Sequence, residues 1–187
     1  MEAYSAIRRG QKIADKLVLG HQHMYAELTR ASLVQVFEIL KLNCDLDSNS
    51  VFADLGCGLG KVVFLASLCG VKESIGVEVV PQHLENARKS MKKLKLENVE
   101  FIEGDIKDNL HKLGKVTHLY AFDFLFSDEI MCVIYDFLRM HKGMYMVSFR
   151  KPKEMLNQRL NVKVIGTIKG KMTHVNESHN CYVYKTV

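Results

Sequence analysis

Three carboxylates stand where apolar runs end. Asp54 closes Val51-Phe-Ala, Glu78 sits near the end of Ser74-Ile-Gly-Val-Glu-Val-Val80, and Asp105 closes Val99-Glu-Phe-Ile-Glu-Gly-Asp105. After the first acid come glycines at 56, 58 and 60, then Lys61. Apolar, β-branched runs of this length read as buried strands, and Val62, Val63, Leu65, Ala66 and Leu68 open a helix at once. Strand, glycine turn and helix let a backbone approach a nucleoside-like ligand, because a Cβ would block the turn or the ligand. A plain tight turn is the alternative. Ligands of an open α/β sheet lie beyond the carboxyl ends of its strands, so the three acids mark one such edge.

The spacing excludes two phosphate-binding patterns. The dinucleotide fingerprint needs glycine where Lys61 stands, and the phosphate loop needs Ser or Thr where Val62 stands. Glu78, eighteen positions beyond Gly60, is placed to accept both hydroxyls of a ribose. A solvated carboxylate at a strand end is the alternative. Asp105 can accept the exocyclic amine of an adenine, with Ile106 against the ring. Ribose and adenine partners without phosphate partners point to an adenosine ligand that lacks phosphates.

Periodicity supplies the elements that must hold these residues. Residues 27–42 form an amphipathic helix with Leu33, Val36, Phe37 and Leu40 on one face. Residues 82–96 form a second helix after Pro81, with Arg88, Lys89, Lys92, Lys93 and Lys95 on a solvated or acid-binding face. Val116 to Phe126 is predicted as a fourth strand, with Tyr120, Phe122, Phe124 and Phe126 on one side and Asp123 on the other. Ser127 or Asp128 caps the next helix. Met144 to Phe149 is a fifth strand. Past Lys151-Pro152 the helical pattern fades, and Val162–Lys169 and Cys181–Val187 alternate as two strands joined by a polar turn around Asn176-Glu-Ser-His. Residues 1–24 read as a basic arm or helix, with Arg8, Arg9, Lys12 and Lys16 at helical spacing.

Composition bounds the function. At 187 residues and 48% apolar, the chain is one domain with a full core, residues 25–187 carrying the fold. It contains no run of eighteen apolar residues to cross a membrane, and its N-terminus carries no apolar signal core. Its five cysteines form no C-x-x-C pair, so neither a metal site nor a disulfide framework is expected, and a nuclear or cytoplasmic rather than secreted protein is. A net charge of +5 is too mild to imply strong direct nucleic-acid binding.

Asp54-Leu-Gly-Cys-Gly-Leu-Gly60, Gly76-Val-Glu78 and Glu103-Gly-Asp105 resemble, in order and spacing, the motif series of class I S-adenosylmethionine-dependent methyltransferases. The resemblance covers residues 25 to 187. It implies an α/β, Rossmann-like sandwich with a seven-stranded, mostly parallel sheet ending in an antiparallel hairpin. It also implies S-adenosylmethionine as cofactor. Gly56, Gly58 and Gly60 then face its methionine part with Asp54 supporting the loop, Glu78 binds ribose, and Asp105 with Ile106 binds adenine. Tyr25, Glu27 and Thr29 would close over the amino-acid end. For Thr29 and Glu27, capping the following helix is a compatible role.

Within that superfamily the chain resembles the disruptor-of-telomeric-silencing family of histone lysine methyltransferases. Its Tyr-Gly-Glu-Thr is similar to Tyr25-Ala-Glu27-Leu-Thr29, and its Tyr-Tyr-Leu-His-Thr to Tyr182-Val-Tyr-Lys-Thr186. Its Ile-Gly-Thr-Ile matches Ile165-Gly-Thr-Ile168, and its Asn-Asn-Phe-Ala-Phe stands where this chain has Phe122-Asp123-Phe124-Leu-Phe126. The resemblance implies methyl transfer to a lysine of a protein, a histone among the candidates. Phe122, Phe124 and Tyr182, with Tyr184 beside them, would form an apolar wall that disfavours the charged amine. Such walls also attract a sulfonium or amine by about 0.5–2 kcal/mol per contact. Core packing is the alternative for at least two of the aromatics. Asp123 can orient the amine, although as an anion it would raise the amine's pKa. The Asn/Asp-Pro-Pro-Tyr/Phe tetrapeptide of base-amine and glutamine methylation is absent. Replacement of the asparagine pair leaves two other readings open: a different protein or small-molecule acceptor, or a cofactor-binding subunit without catalysis.

Overall fold

Seven strands form in the computed structural model, which describes residues 27–173 and 177–187. They are β1 (Val51–Leu55), β2 (Glu73–Glu78), β3 (Val99–Glu103), β4 (His118–Ala121), β5 (Tyr145–Ser148), β6 (Val162–Lys171) and β7 (Ser178–Thr186). They pair in the order β3-β2-β1-β4-β5-β7-β6. The first five are parallel, and β7 runs antiparallel to both β5 and β6. This is the expected Rossmann-like sheet with its C-terminal hairpin. The order reverses at β1, between β2 and β4, which opens a crevice at the carboxyl ends of those strands.

Helices cover both faces: α1 (Arg30–Asn43), α2 (Lys61–Leu68), α3 (Pro81–Leu94), the single turn α4 (Ile106–Asn109), α5 (Asp128–Met140) and α6 (Pro152–Asn157). Strand alternation sorts the core. Phe52, Tyr120, Val147 and Val183 face α1 and α2, while Ala53, Leu55, Leu119, Met146 and Tyr184 face α5 and α6. Among the described residues no helix is long and apolar enough to cross a membrane.

Two expectations change. The fourth strand does not run to Phe126 but ends at Ala121, and a 3-10 turn follows at Asp123–Leu125. A helix, α6, forms after Lys151, with Pro152 at its first position and Met155 buried beneath it. Its one buried apolar residue is too little for a periodic signal. The basic segment 1–24 lies outside the described residues.

Candidate cofactor and acceptor site

The glycine turn is tied to the neighbouring strand end. Gly56 N and Cys57 N both donate to Val77 O, at 2.8 and 2.9 Å. Gly58 N donates to Glu78 Oε2 at 2.8 Å, and Val80 N to Oε1 at 2.9 Å. Gly56, Gly58 and Gly60 all have positive φ, at 73°, 53° and 79°. A Cβ on Gly60 would lie 2.9 Å from Phe101 Cζ, and one on Gly56 3.3 Å from Phe126 Cζ. The turn therefore needs glycine for conformation and for space. Glu78 is only 7% exposed. A carboxylate offers about four acceptor positions, so two remain for a diol. His83 Nδ1 stands 3.7 Å from its Oε1.

Asp54, 3% exposed, sits under this turn. Burial, then the nearby Glu78 and Glu27 carboxylates, push it well above the usual carboxylate range. Glu27 reaches the site by a short bridge: Leu28 pairs with Met172, Thr29 N donates to Lys171 O, and Thr173 N donates to Glu27 O. Its carboxylate accepts from Lys61 Nζ at 2.9 Å, a partner that motif reading missed because Lys61 only breaks the other glycine patterns. Thr29 caps α1, accepting from Ser32 N at 3.4 Å. Tyr25 lies outside the described residues.

The end of β3 joins the same edge, since Gly104 N donates to Glu78 O at 2.9 Å. Asp105 caps α4, with Oδ1 accepting from Lys107 N at 2.9 Å. Its Oδ2 lies 3.9 Å from Lys107 Nζ, and Ile106 is buried beside it.

Among the residues expected on the acceptor side, the aromatics separate. Asp123 is 0% exposed; its carboxylate accepts from Ser148 Oγ and, at 2.9 Å, from Phe149 N. Burial raises its pKa against the pull of those two bonds. These bonds, unforeseen by strand alternation, turn the chain out of the sheet. Phe122 and Phe124 then gather around Phe149, with centroids 4.9 and 4.8 Å away, and His179 lies 4.7 Å from Phe124. Phe126 goes the other way, over Gly56. Phe124 is 37% exposed and Leu125 85%. Tyr182 stacks on Tyr184 at 5.8 Å on the opposite face, so it shares no wall with Phe122 and Phe124. Arg150, which motif reading also missed, donates from Nη2 to Asp123 O at 3.0 Å and to Phe126 O at 3.1 Å.

Known proteins carry the same design. Residues 46–180, more than two thirds of the chain, match the family described as Methyltransferase domain. A ribosomal protein L11 methyltransferase of Clostridium botulinum is 30% identical over 91 residues, 49% of this chain and 28% of that protein. A histone-lysine N-methyltransferase, H3 lysine-79 specific, of Cryptococcus neoformans is 33% identical over 107 residues, 52% of this chain and 16% of that protein. The chain thus spans less than a third of either relative's length. A solved Pyrococcus horikoshii protein, described as a candidate RNA methyltransferase, has a TM-score of 0.70 at 17% identity, covering 96% of this chain and 99% of that one. At that identity the likeness is one of fold. An adenosine-bearing, cationic cofactor suits the buried Asp54 carboxyl, the remaining acceptor positions of Glu78 and the glycine turn. With this site on the switch point of this sheet, the chain belongs to the methyltransferase-domain family and has the S-adenosylmethionine-dependent class I fold.

Proposed function

We propose that the chain transfers a methyl group from S-adenosylmethionine to an amine of a protein, with a lysine side chain as the first acceptor to test. The aromatic group of Phe122, Phe124 and Phe149, open to solvent at Phe124, carries this reading, because an apolar wall suits an amine that must shed its proton. The cofactor supplies a methyl group already activated on a sulfonium. The protein's work is to hold and align. In this reading Glu78 takes the ribose hydroxyls, Asp105 and Ile106 the adenine, and Asp54 and Glu27 the cationic amino-acid end, with Gly56, Gly58 and Gly60 beneath it. Alignment of nucleophile and donor is worth roughly 7–11 kcal/mol in favourable cases.

A lysine amine must arrive neutral, and its free pKa is about 10.4. Phe122 and Phe124 disfavour the ammonium form by excluding water. Asp123 acts as the anchor of the turn rather than as a base, since it is fully buried and its carboxylate is held by Ser148 and Phe149. Tyr182, packed on Tyr184 on the opposite face of the sheet, takes no part in this wall.

Radiolabelled methyl transfer to purified histones and to a fractionated cell lysate tests the reading. Label in protein, released as methyl-lysine on hydrolysis, is the expected result. Label confined to RNA or to small molecules, with cofactor binding intact, would overturn the protein acceptor.

A further inference from the structure

We infer that Arg150 is a positioning residue for methyl transfer: it braces the Asp123–Phe126 turn against the glycine loop and so sets the acceptor opening without touching the acceptor. The inference rests on the proposal that the acceptor enters beside this turn. Arg150 follows β5 directly, and its own backbone is fixed at two points. Its N donates to Ser148 Oγ at 3.0 Å, and its O accepts from Tyr184 Oη at 2.6 Å. From this anchored backbone the side chain crosses to the loop after β4, where one nitrogen, Nη2, serves both ends of the turn. The turn's own closing bond, Phe126 N to Asp123 O, is long at 3.4 Å. The guanidinium therefore makes the shorter ties.

The remaining donors show what this orientation serves. Nε is buried with no hydrogen-bond partner among the described residues, and Nη1 stands 4.0 Å from Glu154 Oε2. An unmet buried donor is costly. The orientation persists because it satisfies Phe126 O and gives Asp123 O a second, shorter donor than Phe126 N. The consequence falls on Phe126, whose ring covers Gly56, and on Phe124, whose ring meets Phe149 and His179. A displaced turn moves both rings, one over the cofactor loop and one at the acceptor rim. A misplacement of about 1 Å at a reacting centre costs on the order of 10²-fold in rate.

Arg150 also lines a cavity of about 330 Å³ between α5 and α6, beside Tyr135, Cys132 and Glu154. That opening allows chemical rescue. In Arg150→Met, hydrogen exchange of the amides from 122 to 128 is expected to quicken, while affinity for S-adenosylhomocysteine falls far less than methyl transfer does. Methyl transfer is expected to fall on the order of 10²-fold in kcat, and guanidinium far below its denaturing range to restore part of it. Unchanged exchange at the turn overturns the brace, whatever the acceptor proves to be. A loosened turn with undiminished methyl transfer overturns the positioning role and leaves the protein-acceptor reading standing. Arg150→Lys, which keeps the charge and a donor, gives an intermediate result on both measurements and serves if Arg150→Met does not fold.

Discussion

Asp54 carries the clearest electrostatic signature in the site. Its folded-state pKa is raised, first by burial and then by Glu78 and Glu27, so the folded chain holds that proton more tightly than the unfolded chain does. The associated stability is full below the unfolded carboxylate value, about 3.9, and is lost as pH rises through the raised value. Asp54→Asn has no such proton. Its stability relative to the parent is expected to climb as pH rises above about 4, measured by urea unfolding at a series of pH values. A difference that does not vary with pH would count against the raised pKa. Glu78 offers a second test. Glutamine keeps one acceptor oxygen where Gly58 N and Val80 N now use two. Glu78→Gln is expected to weaken S-adenosylhomocysteine binding about 10- to 100-fold, the range for hydrogen bonds to charged groups. Calorimetry showing unchanged affinity would refute the ribose role.

Elements matter through how closely they meet the turn. Gly60 caps α2 at φ 79°, and Gly70 follows the same helix at φ 84°. A Cβ on Gly60 meets the rings of Phe101 and Phe64, which pack edge to face, whereas one on Gly70 meets nothing within 4 Å. Gly70→Ala is expected to cost about 1–2 kcal/mol from the left-handed backbone alone. Gly60→Ala should cost a further ~1–3 kcal/mol from overpacking, and thermal unfolding of the pair measures the difference. Equal losses would place Phe101 outside the support of the loop. At this scale the glycine turn, the strand that ends in Glu78 and the helix capped by Thr29 were legible because composition and periodicity within each segment signal them. The end of β4 was not, since it is decided by Ser148, Phe149 and Arg150, some 25 residues away.

Across the whole molecule, His118 ties α1 to the middle of the sheet. Its Nε2 lies 2.7 Å from Cys44 O just past α1, its Nδ1 2.9 Å from Thr117 Oγ1, and its ring stacks on Tyr145. Burial lowers its pKa against the opposing effect of the Cys44 bond. A lowered folded value means that stability is full above the unfolded histidine value, about 6.5, and is lost as pH falls through the folded one. The parent's denaturation midpoint is expected to drop more than that of His118→Gln between about pH 7 and about pH 5. Parallel curves would show that this histidine does not couple the two layers.

The chain's own order of residues determined the cofactor edge. Alternating apolar runs, a glycine turn and acids at successive strand ends are local patterns, and a parallel sheet leaves few ways to arrange them. Tertiary structure alone decided the proposed acceptor side. Strand alternation put four aromatics on one face, but hydrogen bonds from β5 to Asp123 bent the chain at Ala121. Phe122 and Phe124 then joined Phe149 and His179, Phe126 crossed to Gly56, and Tyr182 stayed on the far face. Periodicity records which residues are buried within an element. It carries no record of a buried carboxylate satisfied by a strand two dozen residues on.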